Sequence, residues 1–184
     1  MAMIERIGFG QVEPNHLSAQ RTAQIYAQLP AHIKSDTLTD NTIAILENGQ
    51  FVKYDYVNKE VNFTGDGEWM LVFNEVKLYD TWRESYKDFA MINKNYTGEI
   101  MTPRVFKTNV GDLFTTNAVG GPNTSGKETY AGIDLNEGDM LKVDAATGFL
   151  ISGGDKDADD MVWQVVKVYT MADGQPAVKV MRIK

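Results

Sequence analysis

The stretch GGDKDADD, residues 153–160, places Asp155, Asp157 and Asp159 at alternate positions. Such spacing opens a calcium loop, in which carboxylate oxygens surround a hard cation. The pattern then departs from that template. The sixth position, glycine in a calcium loop, is Asp160, and the twelfth, a bidentate glutamate, is Val166. The three aspartates read first as an acidic hairpin tip and only second as weak metal ligands.

Gly121 to Lys127, GPNTSGK, matches the start of the G-x-x-x-x-G-K-[ST] phosphate loop. The next residue is Glu128, which cannot bind magnesium as a hydroxyl does and would repel a phosphate. The loop also needs a following helix to aim its N–H groups, and ETYAGIDLNEGD is broken by Gly132 and Gly138. No nucleotide site is expected. The two histidines, His16 and His32, have no serine or carboxylate at a catalytic spacing. Cysteine is absent, which removes disulfides, thiol chemistry and Cys–zinc sites. No catalytic residue and no cofactor are assigned.

Composition narrows the class. The chain has 184 residues, 43% hydrophobic and 23% charged, and a net charge of −7. That length buries a core without metals or disulfides. The negative charge argues against nucleic acid as a partner, because phosphate binding needs a basic surface. The start, MAMIERIGFG, is not patterned as a signal peptide, and no apolar run approaches the ~18 residues of a membrane span.

Residues 1–16 read as an arm. Ile4, Ile7, Phe9 and Val12 are apolar, while Gly8, Gly10 and Pro14 interrupt regular structure. Such an arm must lie on its own core or on a neighbouring subunit. LSAQRTAQIYAQL, residues 17–29, has the composition of a short helix stopped by Pro30, or it continues the arm. A second helix is expected over 80–92, where Thr81 and Glu84 form a capping box and Trp82, Tyr86 and Phe89 form a stripe.

The rest reads as strands at about 43–46, 51–54, 61–64, 69–78, 99–107, 111–117, 139–144, 148–151, 161–170 and 176–183, with a hairpin turn at Asp173-Gly174. Residues 120–132 read as a polar loop. In EWMLVFNEVKLYD, both faces start apolar, so the strand is expected to be covered on both sides before it leaves the interior. The fold class is therefore mainly β (α+β): a β-sandwich or small barrel of hairpin units, one or two short helices and an extended N-terminal arm. The division is 1–40 for the arm and its helix and 41–184 for the β-rich domain.

One phrase recurs. NGQFVKYD at 48–55 is echoed by EGDMLKVD at 137–144 and more loosely by VGDLFTTN at 110–117. At the offset of 89 that carries Gly49 to Gly138, Lys53 falls on Lys142, Asp55 on Asp144, Val61 on Leu150 and Gly65 on Gly154. After an insertion of five residues, Trp69 falls on Trp163. This reads either as a β unit used twice, about 43–80 and 133–170, or as the ordinary look of hairpins.

The runs ILENGQFVKYD, GEWMLVFNEVKLYD, SYKDFAM, PRVFKTNVGDLFTTNAV and LNEGDMLKVDAATGFL resemble, in strand style and order, the small head proteins of tailed bacteriophages called decoration, cement or auxiliary capsid proteins. The resemblance covers most of residues 43–170. It implies a non-enzymatic virion protein, made in the host cytoplasm, that binds the major capsid protein lattice and stabilises the head. It implies no cofactor; the expected partners are the major capsid protein and neighbouring copies. The arm residues Ile4, Ile7, Phe9 and Val12 are the expected anchors on that partner. Two other readings stand beside it. One is a tail or head–tail connector protein that closes a ring. The other is a calcium- or carbohydrate-binding β module, for which Trp69, Tyr86, Tyr130 and the 153–160 loop are the candidates.

Overall fold

The computed structural model describes residues 2–4, 10–17, 45–74, 90–92, 102–120, 133–171 and 174–184. Fourteen strands lie among the described residues: β1 (Ala2–Ile4), β2 (Val12–His16), β3 (Ile45–Glu47), β4 (Phe51–Asp55), β5 (Glu60–Asn62), β6 (Trp69–Val72), β7 (Ala90–Ile92), β8 (Val105–Phe106), β9 (Leu113–Thr116), β10 (Ile133–Leu135), β11 (Met140–Val143), β12 (Leu150–Ser152), β13 (Val162–Thr170) and β14 (Pro176–Arg182). No helix occurs among the described residues. The fold is mainly β.

Two sheets dominate. One has six strands in the order β12-β11-β13-β14-β9-β2, and the other has four in the order β5-β4-β6-β8. Two short pairs, β1-β10 and β3-β7, complete the set. Every pairing within these sheets is antiparallel.

Side-chain alternation along β4 and β6 explains how the sheets meet. Phe51, Trp69 and Leu71 point into the main core, where they join Phe114, Leu141, Trp163, Val178 and Val180 of the six-stranded sheet. Val52, Met70 and Val72 point the other way into a second apolar cluster with Leu46, Val61 and Val105. The four-stranded sheet is thus covered on both faces, which its doubly apolar strand requires. Phe51 sits 5.6 Å from the ring of Trp163, and Phe114 meets that indole edge-on at 4.9 Å and 80°. Edge-to-face packing of this kind is favoured by the ring quadrupoles.

The N-terminal segment joins the body. β1 pairs with β10, and β2 pairs with β9 at the end of the six-stranded sheet. Pro14 sits within β2, which an edge strand tolerates because a missing N–H on its open side breaks no ladder bond. A register shift follows Pro14, consistent with a bulge there. Of the helix expected over 80–92, the last three residues are β7, paired with β3; the preceding residues, and the helix expected over 17–29 beyond Leu17, lie outside the described residues.

Candidate functional site

The recurring phrase is a turn built three times. Glu47 N–H donates to Gln50 Oε1 at 2.5 Å, and Gln50 N–H returns to the Glu47 carbonyl at 3.3 Å. Asn109 with Asp112 and Asn136 with Asp139 repeat this exchange, at 2.8 and 3.0 Å and at 2.7 and 3.2 Å. The third position of each turn is a glycine with positive φ: Gly49 at 90°, Gly111 at 93° and Gly138 at 94°. That conformation is open to glycine and strained for other residues. Each glycine N–H then donates to an antiparallel strand, to Val72, Arg182 and Val165 respectively. Each of those residues donates back to the carbonyl after the glycine, at 2.9 Å in all three cases.

The first and third copies continue alike. Lys53 pairs with Asn62 as Lys142 pairs with Ile151, the same register at the same offset. Asp55 accepts the N–H of Val57, and Asp144 accepts that of Ala146. The equivalence then slips by one from the sequence alignment. Trp69 lies opposite Lys53, whereas Val162 lies opposite Lys142, so Val162 and not Trp163 is the counterpart of Trp69.

The two lysines of the phrase converge. Lys53 Nζ lies 3.9 Å from Asp160 Oδ2, and Lys142 Nζ lies 3.6 Å from Asp159 Oδ1. Lys53 also stands 5.0 Å over the Trp69 ring. A cleft of about 240 Å³ opens here, lined by Lys53, Glu68, Trp69, Asp160, Met161 and Arg182 among others. Arg182 closes one side: its Nη1 donates to the Thr108 carbonyl and hydroxyl, and its Nε to the Lys184 carbonyl at 2.8 Å. Burial lowers the guanidinium pKa, while the nearby Glu68 and Asp112 carboxylates pull it back up. Lys107 meets Glu68 at 2.7 Å on the rim. The cleft is lined by both cations and carboxylates beside the buried Trp69. Ion pairs this exposed contribute about 0–1 kcal/mol each.

The loop carboxylates serve their own backbone. Asp155 accepts the Asp157 N–H at 2.8 Å, and Asp159 accepts the Asp155 N–H at 2.7 Å. No group of three or more His, Asp or Glu converges among the described residues. The Asp155 and Asp159 carboxylates thus brace the turn, to which Asp157 contributes its backbone N–H.

Two of the four arm residues are described, and both fall inside the body. Ile4 is 1% exposed and Val12 5%, both in the main core. Ile7 and Phe9 lie outside the described residues, as do His32, Tyr86, Tyr130 and the Gly121–Lys127 loop; of His16, only its place in β2 is described. A buried polar seam, absent from the sequence reading, ties this segment down. Gly10 N–H donates to the buried Glu47 carboxylate at 2.5 Å, and Gln11 N–H to Asn117 Oδ1 at 2.7 Å. Thr116 Oγ1 donates to the Gln11 carbonyl at 2.6 Å, and Tyr169 hydroxyl to Glu13 at 2.9 Å. The available signal was TTN at 115–117, three polar residues ending an apolar strand.

No family model, no curated protein and no solved structure matches this chain.

Proposed function

We propose that this chain is a non-enzymatic structural protein of a tailed-phage head, bound to the major capsid protein lattice on its outer surface. The observation that carries the reading is where the polar side chains go. Asp55, Asp112, Asp139, Asp144, Asp155 and Asp159 each accept from the backbone or side chains of their own turns. Residues of the kind that do chemistry here hold turns rigid, and a rigid β body with fixed loops suits a protein that works by contact. The resemblance in strand order to decoration proteins supports the same reading, and an acidic chain suits the outside of a DNA-filled shell.

Ile4 and Val12 bear on where the lattice contact lies. Both are buried in the chain's own core, so neither is free to anchor the chain on a partner, while Ile7 and Phe9 lie outside the described residues. Sedimentation of the purified chain with empty phage shells assembled without it tests the reading. Saturable co-sedimentation supports a head protein. A chain that ignores shells and forms a closed ring alone points instead to a connector or tail role.

A further inference from the structure

Asn48-Gly49 is the only Asn-Gly step in the chain. At such a step the backbone nitrogen after the asparagine can attack the side-chain amide carbon, because glycine puts no side chain in the way. A bond forms between that nitrogen and Cγ, the Cγ–Nδ2 bond breaks, and ammonia leaves with the proton of the glycine N–H. Water then opens the cyclic imide to aspartate or to its β-linked isomer. The reaction consumes nothing but water.

The fold engages both reacting groups elsewhere. Gly49 N–H donates to the Val72 carbonyl at 3.0 Å. Asn74 N–H donates to Asn48 Oδ1 at 2.7 Å, and Asn48 Nδ2 donates to the Asn74 carbonyl at 3.4 Å. The side-chain amide of Asn48 thus pairs with Asn74 as the backbone of a strand would. Asn74 is itself tied onward, since Arg104 N–H donates to its Oδ1 at 2.9 Å. Asn48 is 8% exposed, whereas the residues at the same position of the other two turns are Val110, 68% exposed, and the exposed Glu137. The inward amide therefore belongs to the first turn alone. Ring closure must break all three bonds, so it waits until the 47–50 turn has come away from the end of β6.

The products do not fit the place the asparagine leaves. Aspartate has no N–H for the Asn74 carbonyl, and it adds a carboxylate next in sequence to the buried Glu47. A buried acceptor left unpaired and a newly buried charge both cost stability. The β-linked isomer adds one atom to the main chain directly before Gly49, which lies so close to Ala118 and Thr116 that there is no space for a Cβ.

We propose that Asn48 is a deamidation site guarded by the fold. The folded chain keeps the amide intact, an unfolded chain loses ammonia there, and a chain so marked no longer regains the native turn. The site records whether a molecule has been open and removes opened molecules from those able to work. This follows from the geometry of the 47–50 turn and stands apart from the phage-head reading.

The test incubates the purified chain in mildly alkaline buffer, folded in one arm and unfolded in guanidinium chloride in the other. Peptide mass spectrometry follows the replacement of the amide nitrogen by oxygen at every asparagine. Asn48 is expected to convert first in the unfolded chain, and about tenfold or more slowly in the folded one, where only open molecules react. After dilution from denaturant, converted chains should be missing from the folded fraction. The Asn48→Asp chain, expressed as such, carries the same expectation without a refolding step: it should melt below the wild type. Equal conversion in the two arms, another asparagine converting ahead of Asn48 in the unfolded chain, converted chains recovered in the folded fraction, or an Asn48→Asp chain that melts with the wild type would each overturn the proposal.

Discussion

Gly49 and Gly138 make the same pair of hydrogen-bonded contacts 89 residues apart, yet their surroundings are opposite. A Cβ on Gly49 would lie 2.6 Å from Ala118 Cβ and 2.7 Å from Thr116 Oγ1. On Gly138, and equally on Gly111, it would meet nothing within 4 Å. Gly138→Ala and Gly111→Ala should therefore cost only the strain of positive φ, about 1–2 kcal/mol. Gly49→Ala should add about 1–3 kcal/mol of overpacking. Urea denaturation of the three variants gives the comparison; equal losses would mean that the Gly49 turn relaxes away from Ala118.

Removal of residues 1–16 takes Ile4 and Val12 out of the core and strips β2 from the edge of β9. The two side chains alone represent about 1.5–3 kcal/mol each. The truncated chain is expected to melt well below the full chain, or to aggregate through the bared β9 edge. Circular dichroism melts of the two chains decide it. A truncated chain with unchanged stability would show that this segment is an appendage after all.

Phe51 and Met140 occupy one position in the two related units, and their removal should cost very different amounts. Phe51→Ala empties the space against Trp163 and Phe114 and should cost about 3–5 kcal/mol. Met140→Ala, at an exposed site, should stay within about 0.5 kcal/mol. The near-ultraviolet signal of Trp163 should change in the first variant and not in the second.

Asp55 links the β4–β5 turn to pH. Hydrogen bonds from Asn58 above all, joined by Asn62 and Val57, hold its carboxyl below the ordinary value of 3.8. The folded chain therefore binds this proton less readily than the unfolded one. The turn's support from Asp55 is complete above that ordinary value and is lost as pH falls through it to the lowered one. Amide exchange at Val57 and Asn58 should accelerate over that acid range, and Asp55→Ala should show the fast exchange at neutral pH. Exchange that stays slow at neutral pH in the variant would mean that the turn is held by other contacts.

How much of this was legible depends on which physical rule governed each element. The hairpins of β4, β11 and β13–β14 were readable because glycine turns and runs of apolar residues bound them closely. The two-sided burial of β6 followed directly from its doubly apolar pattern. β2 was missed because Pro14 argues against a strand until the strand is known to lie at an edge, and edges are not written in local sequence. Ala90–Ile92 read as the end of a helix because three apolar residues carry no period of their own. The Trp69–Trp163 match slipped by one residue because identical side chains were aligned where the strand pairing aligns registers. The seam of Glu47, Asn117 and Thr116 is long-range by nature: Gln11 and Asn117 meet only after the sheets have formed.

β14 lies inside the six-stranded sheet, between β13 and β9. Residues 176–182 are thus an interior strand, although almost everything they pair with or enclose precedes them in the chain. A ribosome making this protein must pass Arg182 before β9 and β2 can be joined to the β11–β13 hairpin system. The earlier strands wait unpaired at that seam until residues 176–182 emerge and supply the strand between them. Closure of the six-stranded sheet therefore waits on β14, and a chain cut before Pro176 lacks its keystone rather than its trim.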